Sequence, residues 1–339
     1  KEQVVVVVTN EGYIKKVPQR SYSTSNGEET TLKENDYVIG IYNITTTDVL
    51  LLFTNLGNYL YLPVYDIPEV KRKELGKHIS NIISINPDEK IVSSIPVYDF
   101  NEKRYITSFT KNGMIKRTIL SDFIAMRYSK PIKMMNLKDD DEIISVTDSS
   151  YSNVFIATSN GYGLWYDISE VPIVGIKAAG VKSINLKDDH VVSGMLFDIA
   201  IEYLTIFTDK GTGKRMRLTE LEKTTRAKRG ILLMKIIKSN PSKIINAYIN
   251  QSKSLVGVIS DNYSKIIKIT EIPIMDRYSN GSYVIKDRII SSYLVSELIT
   301  KEDKKEKVEE IKVEKKQIPL SEIDDKLSNI DSIIKEINE

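Results

Sequence analysis

The chain has 339 residues, 41% of them apolar, a formal net charge of +2 and no cysteine. That length buries a large core, and the missing cysteines exclude disulfides, thiol nucleophiles and thiolate metal sites. No apolar run approaches the ~20 residues a bilayer requires and no signal-peptide pattern opens the chain, while the two histidines, His78 and His190, read as loop and strand-edge residues rather than catalytic bases.

Lys1-Glu2-Gln3 runs straight into five valines, Val4 to Val8, which suit a strand buried on both faces. A start this abrupt is expected of a piece cut from a longer chain. At Val8 to Val17 the sequence VTNEGYIKKV introduces the signature that organises the rest of the chain. An apolar run, a Thr- or Ser-led turn closing on glycine, and a second run ending in aromatic or basic residues predict a β-hairpin. The signature returns at Phe53 to Leu62, Phe109 to Thr118, Val154 to Asp167 and Phe207 to Leu218, and in worn form at Ile259 to Ile269, where Tyr263 takes the place of glycine. The turn residues Gly12, Gly57, Gly113, Gly161, Gly211 and Tyr263 are 45, 56, 48, 50 and 52 residues apart. Glycine supplies the positive φ of such turns, so the sixth is expected to find it at Asn262 or close by.

A second landmark closes every copy, a polar pair before two strand-forming residues: Asp36-Tyr37-Val38-Ile39, Glu89-Lys90-Ile91-Val92, Asp141-Glu142-Ile143-Ile144, Asp189-His190-Val191-Val192, Ser242-Lys243-Ile244-Ile245 and Asp287-Arg288-Ile289-Ile290. Two landmarks in fixed order at this spacing mark a repeat architecture. Copy four resolves into strands at about Asn153 to Thr158, Tyr162 to Ile168, Val181 to Leu186 and His190 to Phe197, with an irregular loop between its two hairpins. Six four-stranded antiparallel units predict an all-β ring with blades at about 1–49, 50–100, 101–150, 151–199, 200–251 and 252–299; an open β-solenoid is the alternative. Beyond it, residues 300–317 are mostly Lys and Glu and read as a charged linker. In 318–339, Ser321 as N-cap and the spacing of Ile323, Leu327, Ile330, Ile334 and Ile337 predict an amphipathic helical tail.

The tail from 301 to 339 holds 9 Lys and 12 acidic residues, so the first 300 residues keep 39 of the 48 basic and 34 of the 46 acidic side chains. Their excess is gathered into clusters. One contains Lys103, Arg104, Lys111, Lys116, Arg117, Arg127, Lys130 and Lys133, a second Lys210, Lys214, Arg215, Arg217, Lys223, Arg226, Lys228 and Arg229, and a third Lys71, Arg72, Lys73 and Lys77. Lys177 and Lys182 lie between. The clusters fall on the second strand of the first hairpin and the loop after it, positions that share a rim in a ring. A curved belt of cations can follow a phosphate backbone without reading bases, and counterion release can offset the ~1–6 kcal/mol of bending DNA.

The repeated hairpin, as in Thr110 to Arg117 (TKNGMIKR), resembles the C-terminal domain of type IIA bacterial topoisomerase A subunits, those of gyrase and topoisomerase IV. So do Val171 to Ile184 (VPIVGIKAAGVKSI), Lys187 to Val192 (KDDHVV) and Thr224 to Lys235 (TTRAKRGILLMK). The resemblance implies a six-bladed β-pinwheel whose blades exchange strands and whose outer rim binds and bends duplex DNA. Gyrase A subunits carry a Gln-Arg-Arg-Gly-Gly-Lys-Gly box after the first hairpin; here that loop reads SYSTSNGEETTLKEND (Ser21 to Asp36), and only Arg226-Ala227-Lys228-Arg229-Gly230 is a degenerate relative. The chain therefore looks like the topoisomerase IV type of A subunit, with gyrase A as the alternative. The resemblance further implies a bacterial cytoplasmic, nucleoid-associated enzyme that uses ATP and Mg²⁺ and pairs this region with an N-terminal cleavage domain and a separate ATPase (B-type) subunit. No tyrosine sits in a recognisable cleavage motif and no phosphate loop occurs, so this region is expected to be non-catalytic, with no cofactor, small-molecule substrate or membrane partner.

Two other classes stay open. A propeller scaffold for proteins would use loop-tip aromatics such as Tyr22, Tyr65 and Tyr128. A propeller hydrolase would need Asp139-Asp140-Asp141 or Asp188-Asp189 as its acids, though aspartates at turns are ordinary.

Overall fold

Five consecutive valines form the first strand because it runs down the middle of a sheet covered on both faces; Val4 to Val8 are at most 3% exposed. The computed structural model describes residues 1–23, 31–305, 330, 333 and 334. Copy one supplies β1 (Gln3–Thr9), β2 (Tyr13–Pro18), the one-turn helix α1 (Gln19–Ser23) and β3 (Val38–Thr45). Copy two supplies β4 (Val49–Thr54), β5 (Asn58–Pro63), β6 (Lys77–His78) and β7 (Ile91–Val97). Copy three supplies β8 (Tyr105–Thr110), β9 (Met114–Ile119), β10 (Ile132–Lys133) and β11 (Ile143–Thr147). Copy four gives β12 (Asn153–Thr158), β13 (Tyr162–Asp167), β14 (Val181–Lys182) and β15 (Val191–Phe197). Copy five gives β16 (Tyr203–Thr208), β17 (Thr212–Arg217), β18 (Ile231–Leu232) and β19 (Ile244–Tyr248). Copy six gives β20 (Leu255–Ser260), β21 (Ser264–Lys268), β22 (Ser282–Tyr283) and β23 (Ile289–Leu294). Leu298, the last residue of the ring unit Lys1–Leu298, opens β24 (Leu298–Ile299) beside β3.

The sheets do not follow copy boundaries. The third strand of each copy from two to six crosses to the preceding blade: β6 pairs β2, β10 pairs β5, β14 pairs β9, β18 pairs β13 and β22 pairs β17, all antiparallel. Copy four is therefore not a self-contained four-stranded blade, and its third strand shrinks from Val181–Leu186 to Val181–Lys182. The residues after it turn inward: Ser183 and Ile184 direct their N–H groups at the Gly113 carbonyl, and Ile184 is 1% exposed. Hydrophobic clusters accordingly straddle copies, as where Phe155 and Phe197 pack with Leu204 and Met216. The fold is a six-bladed β-pinwheel.

The last long strand of each copy faces the centre, where polar side chains join neighbours. Tyr42 hydroxyl meets Ser94, Val146 N–H donates to Ser93 Oγ at 3.1 Å, Ser145 Oγ donates to Gly194 O at 3.0 Å, Ser193 meets Asn246, and Tyr248 hydroxyl meets Ser292. Between blades six and one the junction is different: Tyr37 and Tyr293 stack 3.9 Å apart, and Ser296 Oγ donates to Val38 O at 2.9 Å.

Both sequence landmarks have a physical cause. In blades one to five the turn glycine has positive φ, between 78° and 98°, and its N–H returns to the Thr that opens the turn. The landmark carboxylate then caps that turn: Asp36 Oδ1 accepts from Glu11 N–H at 3.0 Å, Asp141 from Asn112 at 2.8 Å and Asp189 from Asn160 at 3.0 Å. Blade six departs from expectation. Its ladder pairs Ile259 with Ser264, four residues enclosed, where blade five pairs Phe207 with Gly213 and encloses five. The glycine is deleted rather than replaced, so no residue from 260 to 264 has positive φ.

Outside the ring unit, residues 301–305 are helical, as are Ile330, Ile333 and Ile334, which are half exposed. Ser321, Ile323, Leu327 and Ile337, and most of the linker and tail, lie outside the described residues, as do residues 24–30 of the first long loop.

Candidate nucleic-acid interface

Because the long last strands sit at the hub, the donated two-residue strands mark the outer ends of blades one to five. The loops leading into them, and the strands themselves, carry exposed cations at one topological station after another. Lys71, Lys73 and Lys77 attend β6, Arg127, Lys130 and Lys133 attend β10, Lys177 and Lys182 attend β14, and Lys228 and Arg229 attend β18. Glycine lets these loops approach the neighbouring blade: Gly230, at φ +85°, lies so close to the Gly163 carbonyl that a Cβ would collide with it. Tyrosines orient several guanidinium groups. Arg229 lies 4.2 Å from the Tyr162 ring centroid, an arrangement that uses the guanidinium face, and Arg72 lies 4.7 Å from Tyr22 while its Nη1 donates to the Tyr22 carbonyl at 3.0 Å.

The strand-borne cations behave otherwise, and the sequence-based set needs correction there. Lys116 and Lys214 are 2% and 1% exposed, so neither can meet DNA. The cause is position along the strand: the third residue of the second strand in blades one, three and five lies under loops that follow it, so its side chain is buried. Lys214 Nζ donates to Leu233 O at 2.6 Å, Asp276 O and Arg277 O at 2.9 Å and Ser279 O at 2.6 Å. Lys116 Nζ donates to Met134 O and Ile176 O, and Lys15, at the same register in blade one, to Arg72 O and to Glu74 O at 2.6 Å. Each lysine grips at least one carbonyl of the following copy, and Lys116 and Lys214 also bind one in their own copy, Met134 O and Leu233 O. Burial pushes all three ammonium groups down to a pKa of about 8, and the carbonyl cage is what holds the proton against that desolvation.

Several arginines are likewise engaged. Arg104, its side chain 11% exposed, is clamped by Glu102 at 2.5 Å and Asp148 at 2.7 Å. Arg215 donates to Ile272 O at 2.7 Å and Arg226 to Lys182 O at 2.6 Å and Glu170 O at 3.0 Å, ties that fasten adjacent copies. Arg117 is half-buried over Tyr105 and Arg217 is paired with Glu202 at 2.6 Å, while Lys103 is exposed at the opposite end of its hairpin from the turn. Arg277, absent from the sequence-based set, lies four residues before Gly281 as Arg226 lies before Gly230. Like Arg226 it is engaged, donating to Leu232 O at 2.9 Å and to the Tyr278 hydroxyl at 2.7 Å.

Of the tyrosines of the scaffold alternative, Tyr22 lies under Arg72, while Tyr65, beside Lys16, and Tyr128, 5.3 Å from Tyr61, stay exposed. Asp141 and Asp189 cap turns, while Asp139, Asp140 and Asp188 have positive φ, the backbone that turns impose. Among the described residues no three His, Cys, Asp or Glu side chains converge to hold a metal.

Residues 3–45, 48–97, 104–148, 152–197 and 202–246 match the family described as DNA gyrase C-terminal domain, beta-propeller. The chain belongs to that family. The match to the gyrase C-terminal propellers follows the first five copies and stops before the sixth, whose turn is a residue shorter. The A subunit of DNA topoisomerase 4 from Bacillus subtilis (strain 168) is 44% identical over 285 residues, 83% of this chain and 35% of the relative. The same subunit from Staphylococcus epidermidis is 36% identical over 288 residues, 84% of this chain and 36% of the relative, so the chain spans little more than a third of these proteins. The crystal structure of the C-terminal domain of DNA topoisomerase IV superposes with a TM-score of 0.83 at 44% identity, covering 87% of this chain and 93% of that one. The DNA gyrase A C-terminal domain shares the fold, with a TM-score of 0.62 at 20% identity over 88% of this chain and all of that one.

Proposed function

We propose that this chain is the non-catalytic duplex-DNA-binding and bending region of a topoisomerase IV A subunit, engaging the transported duplex through the outer rim. The observation that carries this is the recurrence of exposed cations in the loop before each donated strand, on blades one to four. Cations repeated around a curved edge contact phosphates and not bases, so binding is sequence-tolerant and salt-dependent, and the curvature favours bent DNA. The kinship with the A subunits of topoisomerase 4 supports an ATP- and Mg²⁺-dependent type II parent in the bacterial cytoplasm, whose cleavage domain and ATPase (B-type) subunit lie outside this chain. Tethering one duplex there would tune decatenation and supercoil relaxation.

Duplex binding from low to moderate salt tests the reading. The log–log slope should be steep, about −0.9 per phosphate neutralised. A slope near zero would remove rim binding. Circle ligation with the chain present should then shift the topoisomer distribution if the rim bends DNA.

A further inference from the structure

Blades one to five complete their outer edge with a strand from the next copy, and blade six does not. Its β21 pairs only with β20, so among the described residues no strand meets its outer N–H and C=O groups. Such an edge is a template for another extended segment.

The side chains along it repeat the acceptor half of junctions used elsewhere in the ring. Lys265 lies opposite Val258, the station that Lys214 holds opposite Ile206 and Lys116 opposite Ser108. Those two lysines are buried under donated loops, whereas Lys265 is exposed, with one long bond to Val284 O at 3.4 Å. Ile266 holds the station of Arg215, whose N–H and C=O both turn outward to the next copy, bonding Pro273 O at 2.8 Å and Met275 N–H at 2.9 Å. Ile266 is 52% exposed and Tyr263 49%.

We propose that the outer edge of β21 docks an extended, acidic segment of a partner protein. The segment adds along β21, antiparallel beside Ser264 as the donated strand is beside Gly213 and parallel beside Ile266 as Ile274 is beside Arg215, with its carbonyls on Lys265, a carboxylate at Lys268 and an apolar side chain over Ile266. Charge selects this occupant. The strand carries Lys265 and Lys268 and no acid, so two copies placed edge to edge would oppose like charges. A phosphate backbone would take the N–H groups but leave the carbonyls and Ile266 unmet. Insertion beyond the turn is closed, because the Tyr263 carbonyl already accepts from Ser260 N–H at 2.9 Å and Ser260 Oγ at 2.8 Å. The contact is a strand alone.

The full chain can be titrated against a fluorescein-labelled peptide of residues 175–186 carrying Lys177→Glu and Lys182→Glu, with a scrambled control. Saturable binding is expected, with amide exchange slowed along β21. Ile266→Pro blocks an outward N–H that an edge strand can spare, and Lys265→Glu with Lys268→Glu reverses the charge; each should weaken binding about tenfold or more. Thermal melts show whether either variant folds, and the two act by separate routes, so one suffices. Absent binding, equal binding of the scrambled peptide, or indifference to both variants would overturn the proposal. So would a concentration-dependent dimer abolished by Ile266→Pro, or a charge variant that weakens duplex binding and leaves the peptide unaffected.

Discussion

The lysines of the hairpin strands and those of the outer loops are the same residue in neighbouring positions, and they do opposite work. Lys15, Lys116 and Lys214 are buried among backbone carbonyls, some of them from the following copy; Lys71, Lys130, Lys177 and Lys228 stand in solvent at the outer ends of the blades. A lysine cluster is thus no guide to a binding surface until strand is told from loop. The third residue of the second strand in blades one, three and five is covered by loops that follow it, whereas the loops that bridge blades carry lysines into solvent.

Charge reversal should separate the two sets most sharply. Lys116→Glu or Lys214→Glu places a carboxylate among carbonyls, and by analogy with broken buried pairs should cost about 3–5 kcal/mol, read as a collapse of the thermal midpoint. The rim equivalent, Lys71→Glu with Lys130→Glu and Lys228→Glu, should leave the midpoint unchanged while flattening the salt slope of duplex binding by about 3. Truncation is milder. Lys214→Met strands four carbonyls and should cost about 1–3 kcal/mol without altering the salt slope.

The buried set also predicts a pH signature. With folded pKa values near 8 against an ordinary value of 10.5, the unfolded chain binds more protons between those limits, so stability rises with pH through that window. Relative to Lys214→Met, the wild-type midpoint should therefore climb from pH 8 toward 10, and a flat difference would remove the desolvation argument. The smallest effect concerns the degenerate box. Ala227 has φ +64°, so Ala227→Gly should stabilise by about 0.5–1 kcal/mol and leave duplex affinity unchanged.

The repeat is legible because its two landmarks touch each other: a glycine that must turn and a carboxylate that caps the turn recur together in sequence as they do in space. The strand exchange is not legible from patterning. Val181–Lys182 looks like any short strand, and nothing in its alternation says that its partner, Ile115–Met114, belongs to the previous blade. A difference between copies is also hidden. Lysine follows the turn glycine by three residues in blades one, three and five, while Leu60 and Leu164 hold that place in two and four. The residues after those lysines bridge Glu69, Ile173 and Ile274 in the next copy, each just past a proline. Of the candidate site, most loop cations are exposed as their sequence setting suggests, whereas Lys116, Lys214, Arg104, Arg72 and Arg226 are buried or engaged, because burial depends on neighbours that composition does not reveal.

Lysine footprinting compares both sets in one measurement. The chain is acetylated with and without a short duplex and the sites are counted by mass spectrometry. Lys71, Lys130, Lys177 and Lys228 should react freely alone and be shielded by DNA, while Lys15, Lys116 and Lys214 stay unreactive in both states. Rim lysines that react equally with and without DNA would contradict the assignment of duplex binding to this edge.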